Sequence, residues 1–393
     1  MSVSSDLLAL TADEAAHGAR LEARLRDEIS VAGGWIGFAR YMQLALYEPG
    51  LGYYSAGARK FGAAGDFITA PEVAPVFSRC LAAQCAEVLQ ALGGGDVLEL
   101  GAGSGVMAAE MLAELERRGA LPRRYLILDV SADLRERQQA TLAAAVPHLL
   151  PRVEWLDRLP VALDGVVVAN EVLDAMPVER FVVRGDQVRS LGVRAQPDCL
   201  QACEADAPAA LVDAVRAIES DTGVAWPEGY TSEVNLGLAG WLQSLAAAVA
   251  RGVLLFVDYG LPRREYYAAE RRDGTLLCHF RHRFHDDPFA RPGLQDITAW
   301  VDFTAVAEAG LAAGLAVAGF STQAHFLLAT GLEREVERAG NGLDAREAAK
   351  LAQAVAMLML PGEMGERFKV LALARRLESP LSGFSFRDLA ATL

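Results

Sequence analysis

Residues 98–105 read Leu98-Glu99-Leu100-Gly101-Ala102-Gly103-Ser104-Gly105, a short apolar run that enters a glycine-rich turn, and a helical pattern follows. Glycine permits positive backbone φ angles and lets a ligand approach the main chain closely, and the N-terminus of a helix offers free N–H groups. The segment is therefore typical of the first strand, turn and helix of an α/β domain that binds a nucleotide-like molecule at its turn.

The spacing of the glycines distinguishes between two cofactors. The fingerprint of nicotinamide dinucleotides, G-x-G-x-x-G, would place its third glycine at Val106, whereas this chain has it one residue earlier, at Gly105. The chain instead fits the pattern E/D-x-G-x-G-x-G, which is characteristic of methyltransferases that use S-adenosylmethionine. A glycine-rich turn that binds nothing is the alternative. The pattern favours S-adenosylmethionine as the cofactor, with Glu99, Gly101, Gly103 and Gly105 at its binding site.

Further buried-strand patterns follow the turn, at residues 125–130, 152–156, 165–169 and 253–259, with helical or turn-rich stretches between them. Strands that are separated by crossovers indicate a parallel sheet with helices on both faces. Two more strand patterns stand near the end of the chain, at residues 315–323 and 368–374. We therefore predict an α/β fold.

Extra segments flank and interrupt this predicted core. Before it, a helical stripe of Leu21, Leu25 and Ile29 precedes loops that are rich in glycine and aromatic residues. Within it, a hairpin signal around Gly185-Asp186 and two helical patterns indicate an insertion that could cap a substrate. The predicted division is an N-terminal helical and loop cap at 1–75, a core at 76–375 with insertions at about 180–250 and 324–365, and a C-terminal tail at 376–393.

Acidic and amide side chains follow the predicted strands. Ligands of an open parallel sheet lie outside the carboxyl ends of its strands, so several such groups at one edge indicate a site, although a lone acid there is often a turn residue or helix cap. We predict that Asp129 binds the ribose hydroxyls and Asp157 the adenine amino group. Asn170, Glu171 and Asp174 are expected to face the transferring methyl group.

Composition and charge exclude other classes of protein. The 393 residues carry a net charge of −14 and no run of five Lys or Arg, which argues against a nucleic-acid binder. No apolar run approaches the roughly 18–20 residues of a membrane span. Acidic residues precede the first arginine, so neither a secretory signal nor a mitochondrial presequence is expected. Five cysteines without a CxxC pair suit reduced thiols, and we expect a cytoplasmic protein.

Two clusters contain the cysteine or histidine residues that can bind a metal ion. Cys199 and Cys203 lack a nearby histidine or second cysteine pair. His282 and His285 stand beside Asp286-Asp287, but the proline and glycine that follow indicate a loop packed against the mouth of the site. We predict no metal site.

The chain also resembles the MidA family of methyltransferases over roughly residues 35–375. The matching segments are GDFITAPE at 65–72, LELGAGSG at 98–105, LDVS at 128–131, NEVLDAMPVERF at 170–181, DYG at 258–260, QDIT at 295–298, VDF at 301–303 and LPGEMGERFKV at 360–370. The resemblance implies a seven-stranded, Rossmann-like core with added N-terminal and inserted helical segments, and S-adenosylmethionine as cofactor. Mitochondrial members are arginine methyltransferases that assist assembly of respiratory complex I, which implies a protein arginine as the acceptor.

The family motifs also imply functional positions. They place cofactor contacts at Gly65, Asp66, Thr69 and Glu72, and they include Pro71, Asp258, Asp296 and Asp302. Where mitochondrial members have Glu-Leu-Ser-Pro before the fifth strand, this chain reads Ser232-Glu233-Val234-Asn235, as in bacterial-type relatives. This departure bears on the acceptor and not on the fold or cofactor.

A guanidinium acceptor fits the acidic residues. Methyl transfer needs alignment of acceptor, methyl carbon and sulfur, and a planar guanidinium needs carboxylates that fix its plane. Glu171, Asp174 and Glu233 are predicted to supply them. The acidic net charge would steer a basic loop, and it serves solubility equally. Residues 53–72 are expected to close over the cofactor.

Three classes of function remain open. The chain is a protein-arginine methyltransferase, a methyltransferase for a small molecule or another side chain, or a non-catalytic assembly chaperone that binds S-adenosylmethionine. The intact glycine turn and the two acids Glu171 and Asp174 argue against the third class. The sequence does not disclose the acceptor protein, the number of methyl groups added or the oligomeric state.

Overall fold

The computed structural model describes residues 10–56, 69–129 and 131–393. The N-terminal part comprises α1 (Ala12–Val31), β1 (Ile36–Gly37) and α2 (Phe38–Tyr47), and α3 (Ala70–Val73) and α4 (Pro75–Leu92) come next. There follow β2 (Asp96–Leu100), α5 (Val106–Arg117), β3 (Tyr125–Leu128), α6 (Ala132–Ala145), a 3-10 helix (Pro147–Arg152), β4 (Val153–Leu156) and β5 (Leu163–Asn170).

The remaining elements alternate between the core and its additions. The middle of the chain holds β6 (Glu179–Arg184), β7 (Gln187–Ala195), β8 (Leu200–Asp206), α7 (Ala209–Thr222), β9 (Thr231–Val234), α8 (Leu238–Ala248), β10 (Val249–Leu261) and α9 (Arg263–Tyr266). Then come β11 (Leu277–Phe280), β12 (Arg283–His285), β13 (Asp296–Thr298), β14 (Val301–Asp302), α10 (Phe303–Ala312) and β15 (Ala316–Thr322). The chain ends with α11 (Gln323–Ala329), α12 (Leu332–Gly340), α13 (Ala345–Met359), α14 (Met364–Arg367), β16 (Phe368–Arg375) and two short 3-10 helices.

A central sheet runs in the order β15-β16-β10-β5-β2-β3-β4. Its strands are parallel except β16, which is antiparallel to both of its neighbours. The chain goes outward from β2 to β3 and β4 and then returns to β5 on the other side of β2. This reversal is the topological switch point, where the carboxyl ends of the strands leave a crevice for a ligand. The predicted α/β fold with a seven-stranded core is confirmed.

Helices cover both faces of this sheet because its strands are apolar on both sides. Val97 and its neighbours on one face pack with α4, α5 and α6, whereas Leu98 and Leu100 on the other face pack with α8 and α10. Successive side chains of a strand point to opposite faces, so a strand buried on both sides reads as a continuous apolar run. This is why the strand patterns were visible in the sequence.

The N-terminal part forms a separate apolar cluster against the core. Helix α1 begins with a capping box between Thr11 and Glu14, and its buried side chains Leu21, Leu25 and Ile29 are those of the predicted helical stripe. They pack with α2 and with residues of β7, β11 and β13. The N-terminal part is therefore attached to the inserted sheets.

The insertion after β5 contains more strands than the sequence pattern indicated. The predicted hairpin around Gly185-Asp186 is present as β6 and β7, and the two predicted helices are α7 and α8. An antiparallel sheet forms in the order β1-β7-β6-β9, with β8 on β7. Strand β8 was missed because most of its side chains are exposed, which removes the apolar alternation.

A second addition lies between β10 and α10 and forms a three-stranded sheet in the order β12-β11-β13. The stretch predicted as a loop thus begins with a hairpin, whose turn residues Arg281 and His282 both have positive φ. The C-terminal tail packs on the core through buried Leu381 and Phe384. Within the described ranges, none of the helices is long and apolar enough to cross a membrane.

Candidate active site

A cavity of about 770 Å³ lies at the carboxyl ends of β2, β3 and β5, at the switch point. Small-molecule sites have volumes of about 300–1,000 Å³. We name its two ends. The glycine-turn end comprises Glu99, Leu100, Gly101, Ala102, Gly103, Ser104, Met107 and Asp129, and the aromatic end comprises Tyr47, Tyr54, Tyr259, Leu277, His279, Asp296, Thr298 and Trp300. Asn170, Glu171 and Asp174 line the cavity as well.

The three motif glycines have different structural roles. All three have positive φ: 66° at Gly101, 53° at Gly103 and 82° at Gly105. Gly101 and Gly103 line the cavity, as predicted for cofactor contacts, whereas Gly105 does not. A Cβ atom on Gly105 would lie 2.9 Å from Cα of Gln138, so this glycine lets α6 approach the turn. Gly105 therefore has a packing role, and its contact with the cofactor stays a prediction.

Gln138 fixes the glycine-turn end and was missed by the sequence analysis. It is fully buried, and its Nε2 donates to the carbonyl oxygen of Gly103 at 3.1 Å and to Oδ2 of Asp129 at 2.9 Å. Its Oε1 accepts from the indole N–H of Trp155 at 3.0 Å. One amide thus joins the glycine turn to the acid expected at the ribose. A lone glutamine in a polar helix gives no sequence signal for such a role.

Glu99 is a buried carboxyl group at the glycine-turn end. Its Oε2 accepts from the hydroxyl of Tyr125 at 2.5 Å, and burial raises its pKa to about 7. Its Oε1 has no hydrogen-bond partner among the described residues. The group can therefore pair with a positively charged ligand, which would restore its ionised form.

Three buried oxygens that line the cavity lack a partner within the described part of the chain: Glu99 Oε1, Asn170 Oδ1 and Asp174 Oδ1. An unsatisfied buried acceptor costs about 1–3 kcal/mol, so such atoms indicate a ligand that donates hydrogen bonds. S-adenosylmethionine carries an ammonium group, a sulfonium and ribose hydroxyls. The residues present therefore fit this cofactor.

The turn after β5 is held by a carboxylate from β10. Oδ2 of Asp258 accepts the backbone N–H groups of Val172, Leu173 and Asp174 at 3.2, 2.9 and 3.2 Å. The turn begins at Glu171, whose φ of 53° is unusual for a side chain with a Cβ atom. Asp258 is thus a positioning residue. Strained backbone of this kind is common at functional sites.

Glu171 and Asp174 form an acidic pair on this turn. Oδ2 of Asp174 accepts from the hydroxyl of Tyr259 at 2.5 Å, and Oε1 of Glu171 accepts from Nδ2 of Asn170 at 3.1 Å. Burial, and then the charge of Asp174, raise the pKa of Glu171 to about 8. Burial raises the pKa of Asp174 to about 6. A cation between the two carboxylates would relieve their repulsion.

The short helix α3 contacts both sides of the site. Glu72 accepts a hydrogen bond from the Ser104 hydroxyl in the glycine turn, and the backbone N–H of Ala70 donates to Oε1 of Glu171 at 3.4 Å. Thr69 and Glu72 line the cavity, as the family motif implied. Gly65 and Asp66, with most of the segment expected to close over the cofactor, lie outside the described residues.

Two predicted site residues lie away from the cavity. Glu233 is fully buried on β9, where it pairs with Nε of Arg180 at 3.3 Å and accepts from the backbone N–H of Thr275 at 2.8 Å. These contacts hold its carboxylate within the inserted sheet, away from the residues that line the cavity, and its role at the acceptor stays a prediction. The side chain of Asp157 is 87% exposed and pairs with Arg135 at 2.8 Å. It is not among the residues that line the cavity, and its contact with the adenine stays a prediction.

The aromatic end was largely missed. The rings of Tyr47 and Tyr54 stack with centroids 5.5 Å apart, and the Tyr54 hydroxyl donates to Oδ1 of Asp296 at 2.9 Å. Trp300 and Tyr259 add an edge-to-face pair with centroids 6.5 Å apart. The aromatic density around residue 50 was a signal for these walls, but their partners come from distant segments. Within the described residues, no cluster of three or more His, Cys, Asp or Glu could hold a metal ion.

A family model for S-adenosyl-L-methionine-dependent methyltransferases matches residues 80–321. The chain belongs to this family. A MidA-type relative, the mitochondrial protein arginine methyltransferase NDUFAF7 of Danio rerio, is 28% identical over 378 residues, which cover 87% of this chain and 84% of that protein. The Drosophila melanogaster homolog is 28% identical over 409 residues, which cover 95% and 90% of the two chains.

Solved structures agree with the MidA assignment. A superfamily member from Burkholderia thailandensis, crystallised with S-adenosyl-homocysteine, is 42% identical and superimposes with a TM-score of 0.93. The match covers 98% of this chain and 99% of the other. The predictions of the family, of an enzyme and of S-adenosylmethionine as its cofactor are confirmed: this MidA-family chain is an S-adenosylmethionine-dependent methyltransferase.

Proposed function

We propose that this methyltransferase modifies an arginine side chain of a protein. The acidity of the cavity is the observation that carries the proposal. Seven carboxyl side chains are among the described residues that line it: Glu72, Glu99, Asp129, Glu171, Asp174, Asp296 and Glu363. Arg367 is the one lysine or arginine among those described lining residues, and the cofactor brings a positive sulfonium, so a cationic acceptor would offset more of the negative charge than a neutral one. The names of the relatives in Danio rerio and Drosophila melanogaster support the same acceptor.

The residues at the turn after β5 would bind the guanidinium. Asp174 is held by Tyr259 through Oδ2, which leaves Oδ1 to accept from the acceptor. Glu171 stands three residues earlier, and its Oε1 is held by hydrogen bonds from Asn170 and from the backbone N–H of Ala70. Two carboxylates restrict a planar fork of five donors to one orientation, and such alignment is the main requirement for an in-line displacement.

When bound, S-adenosylmethionine supplies a methyl group on a positively charged sulfur, and transfer breaks that carbon–sulfur bond as a carbon–nitrogen bond forms. The acceptor nitrogen must then release a proton. Glu171 is suited to take it, because a pKa raised to about 8 matches a base that works near neutral pH. Glu99, Asn170 and Asp129 would hold the cofactor, and the aromatic rings would exclude water from the reacting atoms.

The decisive experiment is to incubate the purified protein with methyl-labelled S-adenosylmethionine and host lysate, and to locate the label by mass spectrometry. We expect label on arginine residues of one or a few proteins, and none when Gly103→Val replaces the wild type. Label on a small metabolite would move the chain to the second class of function. Cofactor binding without any labelled product would indicate the third class, a non-catalytic assembly chaperone.

We also infer a reducing compartment such as the cytoplasm. All five cysteines are free thiols, and Cys80, Cys85 and Cys278 are buried. Fractionation of the host cells followed by immunoblotting tests this location.

A further inference from the structure

A row of three side chains crosses the sheet of β12, β11 and β13. His279 on β11 lies directly opposite Phe284 on β12 and directly opposite Asp296 on β13. Residues that face each other across antiparallel strands point to the same side of the sheet, with Cβ atoms about 4.5–5.5 Å apart. The row therefore spans two strand spacings, about 9–10 Å.

This row lies on the cavity side of the sheet. His279 and Asp296 line the cavity, as do Leu277 and Thr298, which form the next pair along the same face. The intervening pair, Cys278 and Ile297, belongs to the apolar cluster behind the sheet. The alternation with period two places Phe284 on the cavity side as well.

The two ends of the row have opposite environments. Asp296 is 2% exposed, and its Oδ1 accepts from the Tyr54 hydroxyl and from the backbone N–H of Ile297, each at 2.9 Å. The backbone N–H of Ala299, three residues after Asp296, donates to the carbonyl oxygen of Asp174 at 3.0 Å, so the end of β13 lies against the acidic turn. Phe284 is 74% exposed on an edge strand. The row thus leads from solvent to an acidic group near the proposed acceptor site.

We propose that Phe284, His279 and Asp296 form the track along which a protein arginine enters: Asp296 fixes the guanidinium as a third carboxylate beside Glu171 and Asp174, and Phe284 contacts the protein that carries it. The inference rests on the proposed function. A long side chain with a cationic tip matches a track that has an apolar outer end and an acidic inner end. A buried charge at Asp296 is stabilised by such a cation, and an exposed aromatic residue supplies contact area for a protein partner.

Asp296→Asn tests the inner end with little structural change. An asparagine Oδ1 can still accept from Tyr54 and from Ile297, so these two contacts are preserved while the charge is lost. We expect kcat/KM for the labelled acceptor protein to fall about 10- to 100-fold, the loss of one charged hydrogen bond. The Kd of S-adenosyl-homocysteine should stay at its wild-type value, and the thermal midpoint should not fall. Tyr54→Phe, which removes only the hydroxyl, should lower kcat/KM a few-fold.

Phe284→Ala tests the outer end. We expect the KM for the acceptor protein to rise several-fold while kcat and cofactor affinity are unchanged. Phe386→Ala is the matched control, because Phe386 is also an exposed phenylalanine, at 64%, but belongs to the C-terminal tail and does not line the cavity. Equal KM values for the two variants would overturn the docking role of Phe284.

The outcomes separate this inference from the proposed function. If the wild type labels no arginine, the proposed function fails and the track falls with it. If the wild type labels arginine and Asp296→Asn keeps the wild-type kcat/KM, the track is wrong and the proposed function stands. A fall in cofactor affinity equal to the fall in kcat/KM would assign Asp296 to the cofactor.

Discussion

The two ends of the cavity are built in different ways. The glycine-turn end comes almost entirely from residues 98–138, a single strand-turn-helix-strand-helix stretch. The aromatic end joins segments that are far apart in the chain, and the hydrogen bond from Tyr54 to Asp296 links residues 242 positions apart. The glycine-turn end therefore forms within the core alone, whereas the aromatic end forms only when the added segments pack against the core.

This difference in construction predicts which end of the cavity sets the specificity for the acceptor. The glycine-turn end has a backbone geometry suited to S-adenosylmethionine, with positive φ at Gly101 and Gly103. The aromatic end is supplied by the N-terminal part and the three-stranded sheet, which can vary while the core stays the same. We expect changes at the first end to abolish binding of S-adenosyl-homocysteine, and changes at the second to affect only the acceptor.

The largest expected effect is that of Gly103→Val. A branched side chain at a φ of 53° is strained by about 1–2 kcal/mol and would enter the turn that lines the cavity. We expect binding of S-adenosyl-homocysteine to fall below detection by isothermal titration calorimetry. Gly185→Val is the matched control, because Gly185 has a φ of 60° in the distant β6–β7 hairpin. Gly185→Val should carry similar strain and bind S-adenosyl-homocysteine normally. An equal loss of binding in both variants would refute the assignment of Gly103 to the cofactor site.

The next effect is expected from Glu171→Gln and Asp174→Asn. Each removes one charge from the proposed guanidinium site and keeps a hydrogen-bonding oxygen. Methylation should fall about 10- to 100-fold for each, while the Kd of S-adenosyl-homocysteine changes no more than a few-fold. Wild-type rates in both variants would exclude these carboxylates from the acceptor site. Loss of cofactor binding in Glu171→Gln would instead place that residue at the cofactor's amino-acid end.

The locally encoded features were predictable from the sequence. The glycine turn, the strand patterns and the acids at strand ends all depend on residues within one strand-turn unit, so spacing alone pointed to Glu99, Gly101, Asp129 and Asp174, and all four line the cavity. Spacing does not report contacts from outside that unit. The approach of α6 requires a glycine at position 105, and no spacing rule distinguishes this packing requirement from a ligand contact.

Long-range contacts account for the features that spacing did not predict. Glu233 has the residue type that a guanidinium site needs, but Arg180 on the neighbouring strand neutralises it. Asp296 matched a family motif, yet its place in the cavity depends on the register of β11 with β13 and on Tyr54. Such pairings are fixed by tertiary packing, which a single sequence does not report.

A smaller effect is expected from pH. The pKa of Glu171 is raised to about 8 from a usual value of 4.5, so between these values the folded protein binds the proton more tightly than the unfolded chain. The stability of the cofactor-free protein is therefore expected to fall as pH rises through this window. Asp174 and Glu99, with pKa values raised to about 6 and about 7, act in the same direction at lower pH.

Thermal midpoints between pH 6 and 8 measure this effect. The wild type should lose stability over that range, and Glu171→Gln should flatten the upper part of the curve, because it cannot ionise. Methylation should respond in the opposite sense, rising with pH as the acidic pair ionises to bind a cation. A wild-type midpoint that rises with pH would contradict the raised pKa values.

The smallest effect concerns α3, which contacts both the glycine turn and the acidic turn after β5. Helix α3 touches the glycine turn through Glu72 and Ser104, and it touches the acidic pair through the backbone N–H of Ala70 and Glu171. If cofactor binding at the glycine turn orders α3, S-adenosyl-homocysteine should slow hydrogen exchange at residues 69–73 as well as at 98–106.

Ser104→Ala removes the hydrogen bond from the Ser104 hydroxyl to Glu72. It should reduce the protection at 69–73 and weaken cofactor binding about two- to five-fold. Ser244→Ala, on an exposed face of α8, is the control and should change neither measurement. Protection confined to residues 98–106 in the wild type would mean that the cofactor does not order α3, and would contradict the expectation that this segment closes over it.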